Sequence, residues 1–249
     1  MNKKVKVNAS ILIIGNEILS GRTQDTNTST LAIWLNSIGV NVAEVRVIPD
    51  VEETIVDTLN LLRSTYDYVF TTGGIGPTHD DITAQSVSKA FGIKYEVHKE
   101  AFKILEAYYQ PGEFNEGRQK MAWMPENAKL ILNPTSGAPG FNVENVYSLP
   151  GVPSILKSML GGLTNSIVGG EPIKSLTISL RTVESEIANS LTKVQNDNKD
   201  VEIGSYPFFH AGKLDVSIVI RSEDQNKIEN CNSQILKFIN EKKIEVVDR

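Results

Sequence analysis

The run Thr71-Thr72-Gly73-Gly74-Ile75-Gly76-Pro77-Thr78-His79-Asp80-Asp81 holds the densest chemistry in the chain. Its three glycines let a backbone turn tightly and approach a ligand closely. A strand-like run precedes it and a helix-like run follows. The amides of the helix start then face the turn and make an anion site. Two adjacent carboxylates, Asp80 and Asp81, suit a divalent metal ion lying between them and phosphate oxygens. The competing explanation is that one of them caps the helix. Glycines and paired acids together favour ligand chemistry. The loop is neither a Walker A sequence nor a GxGxxG fingerprint.

Gly15-Asn16-Glu17-Ile18-Leu19-Ser20-Gly21 leaves another short apolar run, so its turn belongs at the same sheet edge, with Glu17 as its carboxylate. Asp25 and Asn27 follow at a helix start, where capping explains them as well as binding does. Asn133-Pro134-Thr135-Ser136-Gly137-Ala138-Pro139-Gly140-Phe141 is a second loop of glycine and proline, and alone it reads as a plain turn. Leu149-Pro150-Gly151-Val152-Pro153 runs into a helix whose N-terminus offers another phosphate position. Other residues read more plainly. His79 is expected at the surface, and His98 and His210 lack partners at a metal-ligand spacing. Trp34 and Trp123 are both assigned to the core, with base stacking the weaker role for Trp123. Arg118 and Lys120 either neutralise phosphate or form a solvated helix face. Cys231 is a core thiol.

These residues need elements to hold them. Residues 10–14, 42–47 and 66–72 have the pattern of strands, and 25–38 and 81–91 that of helices closed by Gly39 and Gly92. Asp50 and Glu53 approximate a capping box for the helix between the second and third strands. Strands alternating with helices predict an α/β domain with a mainly parallel sheet, where ligands sit beyond the carboxyl ends of the strands. Helices are expected at 99–109, 115–123 and 154–163, and strands at 129–132 and 145–149. Gly169-Gly170-Glu171-Pro172 reads as a linker. Beyond it come a strand at 173–181, a helix at 184–194, strands at 201–205 and 214–221, a helix at 224–242 and a last strand at 244–247. That order is a ferredoxin-like split βαβ unit. The reading gives domains 1–168 and 169–249. In the second, Gly204-Ser205-Tyr206-Pro207 reads as a turn.

Composition sets the class. The chain has 249 residues, 40% hydrophobic and 22% charged, as in ordinary soluble domains. The net charge of −5 argues against a nucleic-acid partner. One cysteine cannot form an internal disulfide, which fits the cytoplasm. No apolar run reaches membrane-spanning length. The start, Met1-Asn2-Lys3-Lys4-Val5-Lys6, lacks the apolar region of a signal peptide.

Taken in order, the motifs resemble the MoaB/Mog-like molybdopterin-binding fold, and within it the CinA N-terminal-domain type. The family pattern G-D/N-E-hydrophobic-L-x-G matches Gly15 to Gly21, and D-x-N matches Asp25 to Asn27. T-G-G-hydrophobic-G-P-T-x-D-D matches Thr72 to Asp81, N-x-x-G-x-A-P-G matches Asn133 to Gly140, and L-P-G-V-P matches Leu149 to Pro153. The likeness covers roughly residues 8–163. The second domain is similar to the segment that follows in CinA-type proteins and to the hydrolase half of eukaryotic FAD synthases. Two positions depart: Asn16 stands where the family often has Asp, and Ile155 where it usually has Glu. The amidohydrolase domain of full-length CinA proteins is not in the sequence.

The resemblance implies a three-layer α/β/α domain followed by the small α+β domain. It implies metal-dependent hydrolysis of a nucleotide pyrophosphate of ADP-ribose or FAD type, with Mg²⁺, Mn²⁺ or Co²⁺. Asp81, Asp80 and Glu17 would be catalytic, with Asp81 and Asp80 on the metal. Thr72, Gly73, Gly74, Gly76, Thr78, Asn27, Asn133, Gly137, Pro139, Gly140, Pro150 and Gly151 would bind the ligand. Molybdopterin adenylylation and a non-catalytic nucleotide- or pterin-binding module are the alternatives. A homo-oligomer, dimer or trimer, is expected.

Overall fold

The computed structural model describes residues 6–210 and 212–247, so the signal-peptide reading at residues 1–5 lies outside it. The chain divides into two compact units, one ending at Gly170 and one beginning at Glu171. The first unit opens with β1 (Val7–Ile14), α1 (Asn16–Leu19), α2 (Asn27–Ser37), β2 (Val40–Ile48), α3 (Glu52–Thr65), β3 (Tyr68–Thr72) and α4 (Thr83–Phe91). It continues with β4 (Tyr95–Val97), α5 (Lys99–Tyr108), α6 (Glu116–Lys120), β5 (Trp123–Pro125), β6 (Lys129–Ile131), β7 (Gly140–Val143), β8 (Val146–Leu149) and α7 (Pro153–Leu163).

Among the described residues the main sheet has the order β2-β1-β3-β8-β7-β6. β1 is parallel to β2 and β3, β3 is parallel to β8, and only β7 runs against its neighbours. β1 is buried continuously from Ala9 to Ile14, the pattern of a parallel strand covered on both faces. Leu12 and Ile14 pack with Leu59 and Leu62 of α3, Val87 of α4 and Leu105 of α5. Ile11 and Ile13 turn the other way, onto Leu31 and Leu35 of α2 and Leu156 and Leu160 of α7. The expected α/β/α sandwich follows from this alternation. It brings the carboxyl ends of β1, β3 and β8 together at one edge.

Three local expectations are corrected. The helix expected at 115–123 stops at Lys120, and Trp123–Pro125 pairs antiparallel with β4 instead. Ala122 and Met124 are buried and Trp123 between them is exposed, as on opposite faces of a strand, and Pro125 is buried after them. β7 lies where only a loop was expected; all four of its residues are buried, so it shows no alternation. The Asp50–Glu53 capping box does not form. α3 has Val51 as N-cap without a side-chain bond, and Asp50 Oδ2 accepts from the Asn16 amide at 2.8 Å instead.

The second unit contains β9 (Lys174–Leu180), α8 (Glu184–Asp197), β10 (Glu202–His210), β11 (Lys213–Ser222) and α9 (Gln225–Lys242). Its antiparallel sheet has the order β10-β11-β9, and Val246 adds one bridge beside Leu180. This is the split βαβ order with its last strand reduced to a bridge. Gly204-Ser205-Tyr206-Pro207 is not a turn but lies inside β10, paired with β11. Ile187, Ile218, Ile228, Cys231 and Ile235 fill a separate core, and burial raises the pKa of the Cys231 thiol. His210 falls in β10, but its side chain is outside the described set.

Candidate functional site

β3 delivers the glycine turn. Thr71 and Thr72 are buried at its end, and the Gly73 amide donates to Leu149 O at 3.1 Å, which fastens the turn to β8. Gly73 and Gly74 adopt φ of +96° and +67°. A Cβ on Gly73 would lie 2.2 Å from Ile14 O, and one on Gly74 would lie 2.2 Å from Thr83 Oγ1. Backbone conformation and space therefore both demand glycine. Thr83, the first residue of α4, clasps the turn. Its hydroxyl donates to Gly73 O at 2.9 Å and its amide to Gly74 O at 2.9 Å.

Neither aspartate caps α4, whose N-cap is Ile82 without a side-chain bond. Both turn back onto Thr78. Asp81 Oδ2 accepts from the Thr78 amide at 2.8 Å and stands 2.5 Å from Thr78 Oγ1. Asp80 Oδ1 is 2.6 Å from the same hydroxyl. A hydroxyl carries one hydrogen, so it can donate to only one of the two carboxylates at a time. The Thr78 hydroxyl, then the Asp80 backbone amide, hold the Asp80 carboxyl below the usual carboxylate range; His79 and Lys120 add to this. Lys120 Nζ donates to Thr78 O.

This arrangement fits a hard divalent cation, which prefers carboxylate and phosphate oxygens. Two carboxylate groups converge on one shared hydroxyl, and a cation would relieve their mutual repulsion. Among the described residues no three His, Cys, Asp or Glu side chains gather as a metal site. Phosphate oxygens of a ligand would have to complete the coordination.

Two clefts flank the glycine turn. One is a shallow cleft lined by Gly74, Gly76, Asp81, Lys120, Trp123 and Pro139, with Phe141 and Met124 also in its wall. The other is lined by Gly73, Thr72, Glu17, Asp25, Asn27 and Gly151. Glu17 therefore lines a different cleft from Asp81. Asp25 Oδ1 accepts from the Asn27 amide at 2.9 Å and the Thr28 amide at 3.3 Å, so it does cap α2. Asn27 is 6% exposed. Its Nδ2 donates to Gly151 O at 2.8 Å, and its Oδ1 is buried with no hydrogen-bond partner. A buried amide oxygen in that state suits a ligand donor.

The remaining expected site residues line neither cleft. Asn133 spends its side chain on its own loop, bonding Ser136 Oγ, Ala138 O and two amides. Gly137 is packed against the Tyr108 ring and Gly140 against Ser148 O. Neither lines the two clefts, nor does Pro150. His98 caps α5 through Nδ1 and meets Ala128 O at 3.1 Å through Nε2. Arg118 lies over the Tyr109 ring at 4.1 Å and bonds Glu113, so it serves the fold. Trp34 meets Phe70 edge-on at 5.9 Å, in the core as expected. Trp123 is the departure: it is 41% exposed and faces a cleft. Asp50 was read only as a cap, and its anchoring of α1 could not be seen from spacing.

Both units of the chain are similar to known proteins. A profile described as "Probable molybdopterin binding domain" covers residues 10–168, and one described as "FAD synthase, middle domain" covers 172–248. A protein of Archaeoglobus fulgidus is 32% identical over 233 residues, 94% of this chain and 98% of that one. A CinA-like protein of Syntrophus aciditrophicus is 31% identical over 90% of this chain, which spans 57% of that protein. The structure of the protein CinA of Thermoplasma acidophilum, described as having unknown function, superposes with a TM-score of 0.61 at 31% identity, over 65% of this chain and 99% of that one. No helix among the described residues is long and apolar enough to cross a membrane. The chain belongs to the MoaB/Mog-like family of probable molybdopterin binding domains, of CinA-like type, and carries after that domain a segment of the FAD synthase middle-domain kind.

Proposed function

We propose that the protein is a cytoplasmic, metal-dependent hydrolase of a nucleotide pyrophosphate linkage, of ADP-ribose or FAD type, releasing AMP. The observation that carries this reading is the convergence of Asp80 and Asp81 on Thr78 beside the Gly73–Gly74 turn. The match of residues 172–248 to a FAD synthase segment supports the nucleotide class. Two clefts meeting at one turn suit a substrate with a group on each side of a diphosphate.

The phosphate oxygens would rest beside the turn and the start of α4; the Gly73 and Thr83 amides, bonded to Leu149 O and Gly74 O, are not among their donors. Asp80 and Asp81 would hold a divalent cation, which when bound withdraws charge from the phosphates. Lys120, tied to Thr78 O, adds positive charge on the same side. Glu17, from the other cleft, takes the role of general base. Water attacks phosphorus, its proton passes to Glu17, the anhydride P–O bond breaks, and the released oxygen leaves as phosphate.

The description of the first domain favours one other acceptor, a pterin phosphate in place of water. A screen of ADP-ribose, FAD, NAD and CoA with Mg²⁺, Mn²⁺ or Co²⁺ tests the reading. AMP release that requires the cation is expected. AMP released from none of them would overturn it, and AMP transfer to molybdopterin alone would favour the pterin acceptor.

A further inference from the structure

β2 forms one edge of the main sheet, and among the described residues its one strand neighbour is β1. The opposite edge is blunted, because β6 is three residues long and begins with Lys129. β2 has nine residues and neither lysine nor proline. Its register beside β1 sets Val45 level with Ile11 and Val47 level with Ile13, on the face that carries α2 and α7. Ile11 and Ile13 are buried there, while Val45 stays 42% and Val47 38% exposed. The backbone is open as well. Ile48 O turns to the β1 side, where it accepts from the Gly15 amide at 3.1 Å. Successive residues of a strand turn their amide and carbonyl to opposite sides, so those of Val45 and Val47 turn to the free edge. Glu44 and Arg46 flank Val45 on the other face. They bond each other, and Glu44 also accepts from the Tyr66 hydroxyl at 2.7 Å.

We propose that β2 is a self-association edge, to which a second copy of this chain adds its own β2, antiparallel and centred on Val45. One sheet then runs through both copies. The charges carry this choice of occupant and of register. An exposed valine between an acid and a base is self-complementary about a two-fold axis. With the axis at Val45, Val45 faces the partner's Val45, and each Glu44 faces the partner's Arg46. Cα atoms are about 4.5 Å apart in such a flanking pair, and opposite charges there favour pairing. Moving the axis to Arg46 sets arginine against arginine, and moving it to Glu44 sets glutamate against glutamate; both are unfavourable. The register shift against β1 beside Ala43 bends the strand, so the pairing spans Ala43 to Val47. None of these residues lines a cleft beside the glycine turn, so association is read apart from turnover.

The test is mass in solution, by sedimentation and light scattering on the full chain. The wild type is expected at the mass of two chains. Glu44→Arg alone and Arg46→Glu alone each set like charges opposite one another, and each is expected at the mass of one chain. Mixed in equal amounts, they set the introduced arginine against the introduced glutamate and the native Arg46 against the native Glu44. The mixture is expected to return to the mass of two chains, which also shows that both variants fold. Cross-linking gives a second measurement that leaves the charges untouched. At the axis the Cα atoms of a hydrogen-bonded pair are about 5.5 Å apart, within reach of a disulfide. Mild oxidation is expected to join two copies through Val45→Cys and not through Val47→Cys, which faces the partner's Ala43. The native Cys231 is buried. A wild-type mass of one chain or of three overturns the proposal. So do single-charge variants that keep the mass of two chains, a mixture of folded variants that stays at one, or joining through Val47→Cys but not Val45→Cys.

Discussion

Asp81 bonds Thr78 through one carboxylate oxygen, Oδ2. In Asp81→Asn the amide oxygen can still accept the Thr78 amide, while the charge that would hold a cation is gone. Turnover is expected to fall about 100-fold or more with the melting temperature unchanged; rates beside a thermal melt check this. Retained turnover in a folded Asp81→Asn protein would leave Asp81 a loop-shaping residue. Asp80 gives a pH signature. Its ionised form is favoured chiefly by the Thr78 hydroxyl, which lowers its pKa. Activity that needs the carboxylate is then present above that lowered pKa and lost as pH falls through it. Thr78→Val removes the donor, lets the pKa rise, and should move the acid limb of the rate profile to higher pH. An unmoved limb would show that Asp80 does not govern it. The types and order of these residues were legible in the sequence. Their convergence on one hydroxyl was not, because spacing fixes the backbone separation and not the direction of a side chain. Trp123 was misplaced for a related reason: a helix period assigns it to the core, and a strand period turns it out.

At the scale of elements, the turn between β3 and α4 makes two glycines do different work. Gly74→Ala forces a Cβ into a left-handed residue, 2.2 Å from the Thr83 hydroxyl that clasps the turn. It should cost about 1–3 kcal/mol of stability, read by denaturant unfolding. Gly76 has no positive φ, and its Cβ would meet Asp81 Oδ2 at 2.7 Å. Gly76→Ala should therefore displace the carboxylate and lose more turnover than stability. Equal effects of the two variants on both measures would contradict this division. The main parallel strands were readable from uninterrupted apolar runs between helices with glycine ends. β4, β5 and β7 were not, although β6 and β8 are as short and were read: Trp123–Pro125 runs on from a helical stretch and Gly140–Val143 opens out of a Gly/Pro loop, so their flanks masked them.

The whole molecule keeps its chemistry apart from its second core. All the proposed catalytic and binding residues precede Gly170, while Ile187, Ile218 and Ile235 belong to a separate hydrophobic cluster. A protein ending at Gly170 is expected to keep its AMP-releasing activity per site. Turnover and mass in solution, measured together, check this and show whether a dimer or trimer persists. Loss of turnover in a folded, correctly assembled truncation would place a needed residue after Gly170. Water attack on a phosphoanhydride is tested most directly by running the reaction in ¹⁸O-enriched water with the cation present and weighing the products. One heavy oxygen per cleavage is expected, carried by AMP or by the other phosphate product, with no labelled product from Asp81→Asn. Unlabelled products, or no cleavage of any nucleotide pyrophosphate, would contradict hydrolysis at the glycine turn.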